Sequence, residues 1–486
     1  MKTFIFSMLA CMSVLGMHSQ SLVGWTESCP GHKVSFNLHD VVRNDLVADH
    51  VLNSGMMKIA RTVSADNGVR WIDRIYNMPE ELNVFYRQYG EKVEAVLNGQ
   101  SNWLSDPEMG NYISSSNSYV VPMATYQETI DFTFPKGSTA DQVREAARAK
   151  ASAVCGAQWL RINTFMTYLC CSLNYDFPEA FWVNSAYTWG NQYSYSVSYN
   201  PSAGTGIINY DHLIFMTLKD ATFDVRRNEF RNNALVMGAV SEYNQLVSAI
   251  LDGCPQGNSY KKVAYFNDWL TKNNCYNSLY NTSQERPTII WSPLSALRGS
   301  TGDVGPVCEG YARAFKVLCD KSDIPCVLAV GYAKSTKNGT GEDHMWNEVQ
   351  MDNNEWYAVD VTWNDPVDSE NRKVSGKESD FWLLLGSEDM VAPGLTFAES
   401  HPNSITWSLN PDYVSQWDYS IASLITSHRF DAATGIDMAV ASEQTAPIRV
   451  FNLNGQCMGS FQSVGAMNRQ QDRGRLLIVN GKKMFF

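Results

Sequence analysis

The chain has no long run of lysine and arginine, and its 38 basic residues are outnumbered by 50 acidic ones, a formal net charge of −12. That balance argues against a nucleic-acid-binding surface. Past the N-terminus no apolar stretch reaches the ~18–20 residues that a membrane-spanning helix requires. Metal-binding spacing is missing as well. There is no C-x-x-C pair and the eight histidines do not cluster, so no structural zinc is expected. The acidic stretch GTGED at 339–343 forms no recognisable oxygen cage, so no calcium requirement follows. No cofactor is implied, and there is neither a tandem repeat nor a low-complexity tract.

What is present is ordinary globular material. The 486 residues are too many for one compact core and point to roughly two to four domains. Hydrophobic residues make up 44% and charged residues 18%, which sets the chain apart from disordered sequences. Fourteen Trp and 23 Tyr suit either core packing or an extracellular binding surface. The first residues, MKTFIFSMLACMSVLGMHSQ, have the layout of an export signal over 1–20: Lys2, an apolar core from Phe4 to Met17, then a small polar exit. The predicted location is therefore periplasmic, cell-surface or extracellular. MLAC at 8–11 faintly resembles a lipoprotein box, which leaves lipidation of Cys11 open. Export permits disulfides, but the other ten cysteines form no dense framework and their connectivity is open.

Periodicity divides the remainder. Residues 21–115 read as a helical N-terminal region, with three- and four-residue apolar spacing in DLVADHVLNSGMMKIARTV and WIDRIYNMPEELNVFYRQYGEKVEAVL. Residues 116–245 read as an α+β segment. TYQETIDFTFP alternates like a strand, Ser138, Thr139 and Asp141 are candidate caps for the next helix, and YSYSVSYNP and HLIFMTLKD look like sheet strands. A core is expected over 246–425. A small all-β domain is expected over 430–486, with hairpin turns at Asn454-Gly455 and Asn480-Gly481.

The chemistry concentrates in the core. In GPVCEGYARAF, Gly305-Pro306 breaks the preceding structure, and Tyr311, Phe315 and Leu318 then follow Cys308 at helical spacing. Cys308 thus falls in a first helical turn, where unsatisfied N–H groups favour a thiolate and can hold an oxyanion. Downstream, HMWNEVQM and EWYAVDVTWNDP form an antiparallel hairpin. If it turns about Asp352, His344 and Asp360 lie directly opposite on one face, with Cβ atoms ~5 Å apart. A carboxylate there fixes the imidazole tautomer, and the other ring nitrogen can serve a thiol. Singly, Cys308 reads as a buried thiol and His344 as a core histidine. Asp360 between Val359 and Val361 is out of place on a strand unless paired. Together the three make a mechanism.

The run GPVCEGYARAFKVLCDKSDIPCVLAVGYA…HMWNEVQMDNNEWYAVDVTWNDP resembles the transglutaminase-like domain of exported bacterial proteins, whose pattern is G-V-C-x-G-Y-A, a G-I-P-C strand, H-x-W-N and W-Y-x-V-D-x-T-W. The resemblance spans roughly 170–400 and is strongest over 303–366. It implies an α+β, papain-like core with Cys308 as nucleophile, His344 as base and Asp360 as orienter. The implied substrate is a protein or peptide: attack on a peptide or glutamine carboxamide carbonyl gives a thioester, resolved by an amine or by water. Protease, crosslinking and deamidating outcomes stay open. Tyr276 is the candidate oxyanion donor, and Trp346 and Trp363 are candidate walls of the site, with Glu309 and Gly310 packed beside the nucleophile. Ser322-Asp323 departs from the family's usual Ala-Gly. The tail, RVFNLNGQ…GRLLIVNGKKMFF, resembles the type IX secretion sorting domain of Bacteroidetes and so implies the secretion machinery as a partner, although a plain β stalk reads equally from these strands. The alternative to an enzyme is a catalytically silent transglutaminase-like binding or scaffold protein at the cell surface.

Overall fold

The structure, a computed structural model, describes residues 23–29, 31–37, 70–74, 78–100, 111–113, 118–221, 223, 230, 232–277, 288–368, 372–407, 417–420, 423–431, 448–451, 457–461, 476–479 and 482–485. The expected export signal, Cys11 and the first expected N-terminal helix lie outside these residues. The chain forms two compact units, one drawn from residues up to 32, 124–161 and 190–214, the other from the rest. The block expected at 116–245 is thus divided. Composition marks where a segment changes character, whereas strands of fifteen or sixteen residues carry the chain from one unit into the other.

The first unit is a sheet with one helix. Strands β1 (Val23–Cys29), β4 (Ser118–Thr133), β5 (Ala186–Asn200) and β6 (Thr205–Lys219) follow the order β1-β5-β6-β4. In β6 buried and more exposed residues alternate, as the sequence predicts. Helix α2 (Ala140–Asn163) starts at a capping box. The Thr139 hydroxyl accepts from the Gln142 N–H at 3.3 Å, and the Gln142 side chain accepts from the Thr139 N–H at 2.8 Å. Its Val143, Ala147, Ala151 and Cys155, four residues apart, pack against Tyr195, Val197, Ile208 and Tyr210.

Strand β1 corrects the wholly helical reading of 21–115. Trp25, Glu27 and Cys29 are half-buried while Gly24, Thr26 and Ser28 are exposed, a period of two rather than 3.6. Two more strands, β2 (Lys33–Asn37) and β3 (Asn111–Ile113), also fall in that region. Its described helix is α1 (Glu80–Leu97), which buries Leu82, Phe85, Tyr89, Val93 and Val96.

The second unit takes in residues 33–123, 162–189 and 215–486. Helices α3 (Met166–Asp176), α4 (Asn233–Asp252), α5 (Ser259–Asn273), α6 (Pro293–Leu297) and α7 (Cys308–Asp320) accompany an antiparallel sheet β7-β8-β9 (Cys326–Ala333, Glu342–Gln350, Trp356–Val359). Helix α4 revises the reading of apolar length. At 20 residues it is long and apolar enough, by length and composition alone, to cross a membrane. It nevertheless buries one stripe, Val236, Val240, Tyr243, Val247 and Ile250, and its Glu242 pairs with Arg298 at 2.7 Å, the arrangement of a core helix.

Helix α7 buries Tyr311, Phe315 and Leu318 completely. It also buries Arg313 and Lys316, each paired one turn away, to Glu309 at 2.7 Å and Asp320 at 2.8 Å. Beyond it, Asp323 has φ +57°, a left-handed conformation that glycine adopts without strain. Asn347 of β8 donates to the Ala312 carbonyl of α7 at 3.0 Å and fastens strand to helix. In the tail, Ile448–Phe451 pairs with Cys457–Phe461 and Leu476–Val479 with Lys482–Phe485, as two hairpins. Their Asn-Gly turns lie outside the described residues.

Candidate active site

Cys308 is the first residue of α7, after the Gly305-Pro306-Val307 lead-in, so its N–H has no acceptor within the helix. Two glycines make this start possible. A Cβ on Gly310 would lie 2.5 Å from the Ile290 carbonyl oxygen, and one on Gly305 would lie 2.5 Å from that of Cys275. The second approach brings the segment bearing Tyr276 against the nucleophile's lead-in, where the Asn277 N–H donates to the Pro306 carbonyl at 3.0 Å. Glu309 turns away to Arg313 and lines a separate small cavity.

His344 and Asp360 are not directly opposite. Gln350 pairs with Trp356 and Asn347 with Val359, so the hairpin turns about residue 353, and Asp360 stands across from Trp346. The reason is Asn354, at φ +63°, which extends the turn to three residues. Even spacing survives the shift. His344 Nε2 meets Asp360 Oδ2 at 2.8 Å, with both side chains buried. The Cys308 thiol also acts on this imidazole electrostatically, and Nδ1 is the ring nitrogen that the Asp360 bond leaves over. Cys308 is half-buried and unbridged.

The electrostatics follow from burial opposed by pairing. Burial works against a charged His344, but the Asp360 carboxylate and the thiol outweigh it and hold the imidazole well above its usual range. Burial likewise works against a charged Asp360, yet the two imidazoles bonded to it leave its carboxyl well below the carboxylate range. The second imidazole is His401, whose Nε2 lies 3.1 Å from the same Oδ2. The other oxygen, Oδ1, accepts from the Trp363 N–H at 3.0 Å. The three side chains His344, Asp360 and His401 have ligand-type atoms within 4.8 Å of one another. Hydrogen-bond spacing accounts for this, since each imidazole turns a nitrogen to the carboxylate as a donor rather than toward a shared centre.

A cleft of about 320 Å³ opens on His344 and is lined by Tyr276, Glu342, Thr362, Trp363 and Trp382. Tyr276 and Trp363, the expected oxyanion donor and wall, both line this cleft. Trp346 does not line it: it is 1% exposed and packs with Ala329, Ala358, Leu385 and Phe397, on the same strand face as His344 but covered by those side chains. Below the cleft Lys373 bridges Asp365 Oδ1 at 3.1 Å and the Asn274 carbonyl at 2.6 Å, and the Tyr311 hydroxyl donates to the same Asp365. Neither Lys373 nor His401 carries a local signal in the sequence. Both reach the site from segments whose approach only the fold defines.

The first unit holds another cysteine beside a histidine. Cys155 Sγ is 3.7 Å from His212 Nε2, and Asn191 Nδ2 is 3.3 Å from the thiol and 2.9 Å from that ring nitrogen. Gln158 Oε1, 2.8 Å from His212 Nδ1, accepts its proton, so Nε2 is the acceptor for Asn191 and is not free to deprotonate the thiol. Burial pushes the Cys155 thiol up and the His212 imidazole down to about 4. Both are neutral at pH 7, which makes this a satisfied polar cluster rather than a nucleophile and base.

Residues 247–361 match the transglutaminase-like superfamily. No curated protein matches the chain. A solved structure described as a "Putative Cysteine Protease" from Cytophaga hutchinsonii shares 15% identity over 48% of this chain and 78% of its own, with a TM-score of 0.22, too slight a likeness to bear on the argument. The match at 247–361 covers α5, α7, β7, β8 and the Cys308, His344 and Asp360 positions, and the α+β arrangement of a cysteine-bearing helix with an antiparallel sheet is that of a transglutaminase-like, papain-like core.

Proposed function

We propose that the chain is a cysteine-dependent acyltransferase or hydrolase acting on peptide or glutamine carboxamide groups, with Cys308 as nucleophile, His344 as base and Asp360 as its orienter. The observation that carries this reading is the fully buried Asp360 carboxylate, 2.8 Å from Nε2 of His344, an imidazole on whose charge the Cys308 thiol also acts. Burying a carboxylate in that position has a large desolvation cost and serves no packing purpose.

In the first step Sγ, its proton already held by the His344 imidazolium on Nδ1, attacks the carbonyl carbon. The oxyanion forms beside the Cys308 N–H, with the Tyr276 hydroxyl as second donor. The carbon–nitrogen bond breaks, His344 returns the proton to the leaving amine, and a thioester remains. Water or a second amine then attacks the thioester, with His344 again as base. The sequence expectations of export and of a C-terminal sorting signal belong to the same proposal. Detection of the protein in the culture medium or on the cell surface tests them, and retention in the cytoplasm counts against both.

The deciding experiment is alkylation of Cys308 by iodoacetamide against pH, site-mapped by mass spectrometry, in the wild type and His344→Ala. The wild-type rate is expected to persist to about pH 6, where an ordinary thiol is protonated, and to fall in the variant. Slow labelling with an ordinary thiol profile in both proteins would remove the reading and favour a silent binding protein. Cys308→Ala is expected to fold and to lack turnover of glutamine or peptide substrates.

A further inference from the structure

His401 has no place in the three-residue scheme, yet it is built into the site as tightly as the other members. It ends a one-turn helix, α8 (Phe397–Ser400), which is fixed by a capping box between Thr396 and Glu399. Its side chain is fully buried. The ring stacks on Phe397 at 4.5 Å with planes 9° apart, and Trp346 and Trp363 stand nearly edge-on at 5.0 and 4.7 Å. A phenyl ring would satisfy that packing. The polar contacts need an imidazole: Nε2 lies 3.1 Å from Asp360 Oδ2, and Nδ1 lies 3.0 Å from Ser400 Oγ.

The protons can be assigned. Asp360 has no proton to give, so both histidines must donate to it, His344 and His401 onto one oxygen. Burial lowers His401 despite the carboxylate beside it, so it is a neutral ring with its proton on Nε2. Nδ1 faces Ser400 Oγ at 3.0 Å, and that hydroxyl donates its proton to the Lys334 carbonyl at 2.6 Å. The titratable groups that act on His401 are Asp360 and His344, and through His344 the Cys308 thiol.

We propose that His401 is a positioning residue for the Cys308–His344 pair: its Nε2–H holds the Asp360 carboxylate so that the shared oxygen stays aimed at His344. This rests on the reading of Cys308, His344 and Asp360 as a working triad. Asp360 is anchored at Oδ1 by one backbone N–H. With that bond alone the carboxylate can rotate about its remaining torsion. The second imidazole removes that freedom and adds a donor to the ionised form.

The first test needs no variant and no substrate. In the full-length wild-type chain, ¹⁵N NMR of the histidine rings should place the His401 proton on Nε2 from pH 5 to pH 8, and a ring protonated on Nδ1 alone overturns the proposal. The second uses His401→Phe, which keeps the stack and lacks the donor, and His401→Gln, which restores an N–H. In the Phe variant the acid limb of Cys308 alkylation should rise by about one pH unit with a roughly tenfold slower rate near pH 6, as expected from one lost hydrogen bond to a charged group. The Gln variant should recover most of both. Equal impairment in the two variants, or none in either, overturns the positioning role. A wild type without an activated Cys308 would instead defeat the catalytic reading, while the tautomer measurement would still decide on His401.

Discussion

Replacing Asp360 with alanine is the perturbation whose cost the structure defines most closely. The carboxylate accepts from His344 Nε2, His401 Nε2 and the Trp363 N–H, and is itself 0% exposed, so no water replaces it as their acceptor without entering the core. A buried donor left without an acceptor costs about 1–3 kcal/mol, and breaking a buried ion pair from one side costs about 3–5 kcal/mol. His344 escapes part of this by losing its charge, so we expect a loss of about 3–5 kcal/mol at pH 6. The assay is urea unfolding followed by tryptophan fluorescence. The difference should depend on pH in a particular way. Asp360 is depressed in the folded state, so its contribution is present above the ordinary carboxylate range, about pH 4, and is lost as pH falls toward its lower folded value. His344 is raised, so its ionic contribution is complete below about pH 6.5 and is lost as pH climbs through its folded value. The gap between wild type and Asp360→Ala should therefore be widest at about pH 5–6 and narrow on both sides. A difference below about 1 kcal/mol, or one flat from pH 3 to pH 9, would refute the paired, buried description.

Gly310→Ala should destabilise the protein by about 1–3 kcal/mol and slow Cys308 alkylation, since its Cβ would lie 2.5 Å from the Ile290 carbonyl and one of the two backbones must move; thermal unfolding reads the first effect. Asp323→Gly should stabilise by about 0.5–1 kcal/mol by relieving the φ of +57°, and a loss of stability would show that the aspartate has a local partner worth more. Cys155 should resist alkylation in the folded protein and label only after unfolding, and Cys155→Ala should leave Cys308 labelling unchanged; loss of Cys308 reactivity in that variant would contradict the neutral-cluster assignment.

The parts legible in the sequence were those determined over short range. The start of α7, the even spacing of His344 and Asp360, and the alternation along β6 each depend on neighbours within a few residues. The β8–β9 turn centres one residue beyond Asp352, which moves the partner of Asp360 by two, from His344 to Trp346; this depends on which asparagine adopts a left-handed backbone, and Asn353 and Asn354 are equivalent in composition. Trp346 shares a strand face with His344, and only the packing of Leu385 and Phe397 against it makes it core rather than cleft wall. His401 lies 41 residues beyond Asp360 and belongs to no repeat or periodic pattern. Its role is set by where a one-turn helix docks, which is a property of the packed fold. Likewise β1 reads as helical from its neighbours, although its own two-residue alternation stands in the sequence.

Strand β8 is fastened on both faces. His344 and Glu348 point one way, the second accepting from Ser423 Oγ at 2.6 Å, the Leu424 N–H at 2.8 Å and Asn403 at 3.1 Å, while Asn347 points the other way to Ala312. This gives the strand very different tolerances to changes in length and in sequence. Losing or gaining one residue between 344 and 348 would exchange the faces, turning the imidazole from its carboxylate and burying Glu348 away from its three donors. The turn over 352–354, by contrast, can lengthen without disturbing any of these bonds. Among descendants of this gene, insertions and deletions should accumulate in that turn and be missing from the nine residues before it.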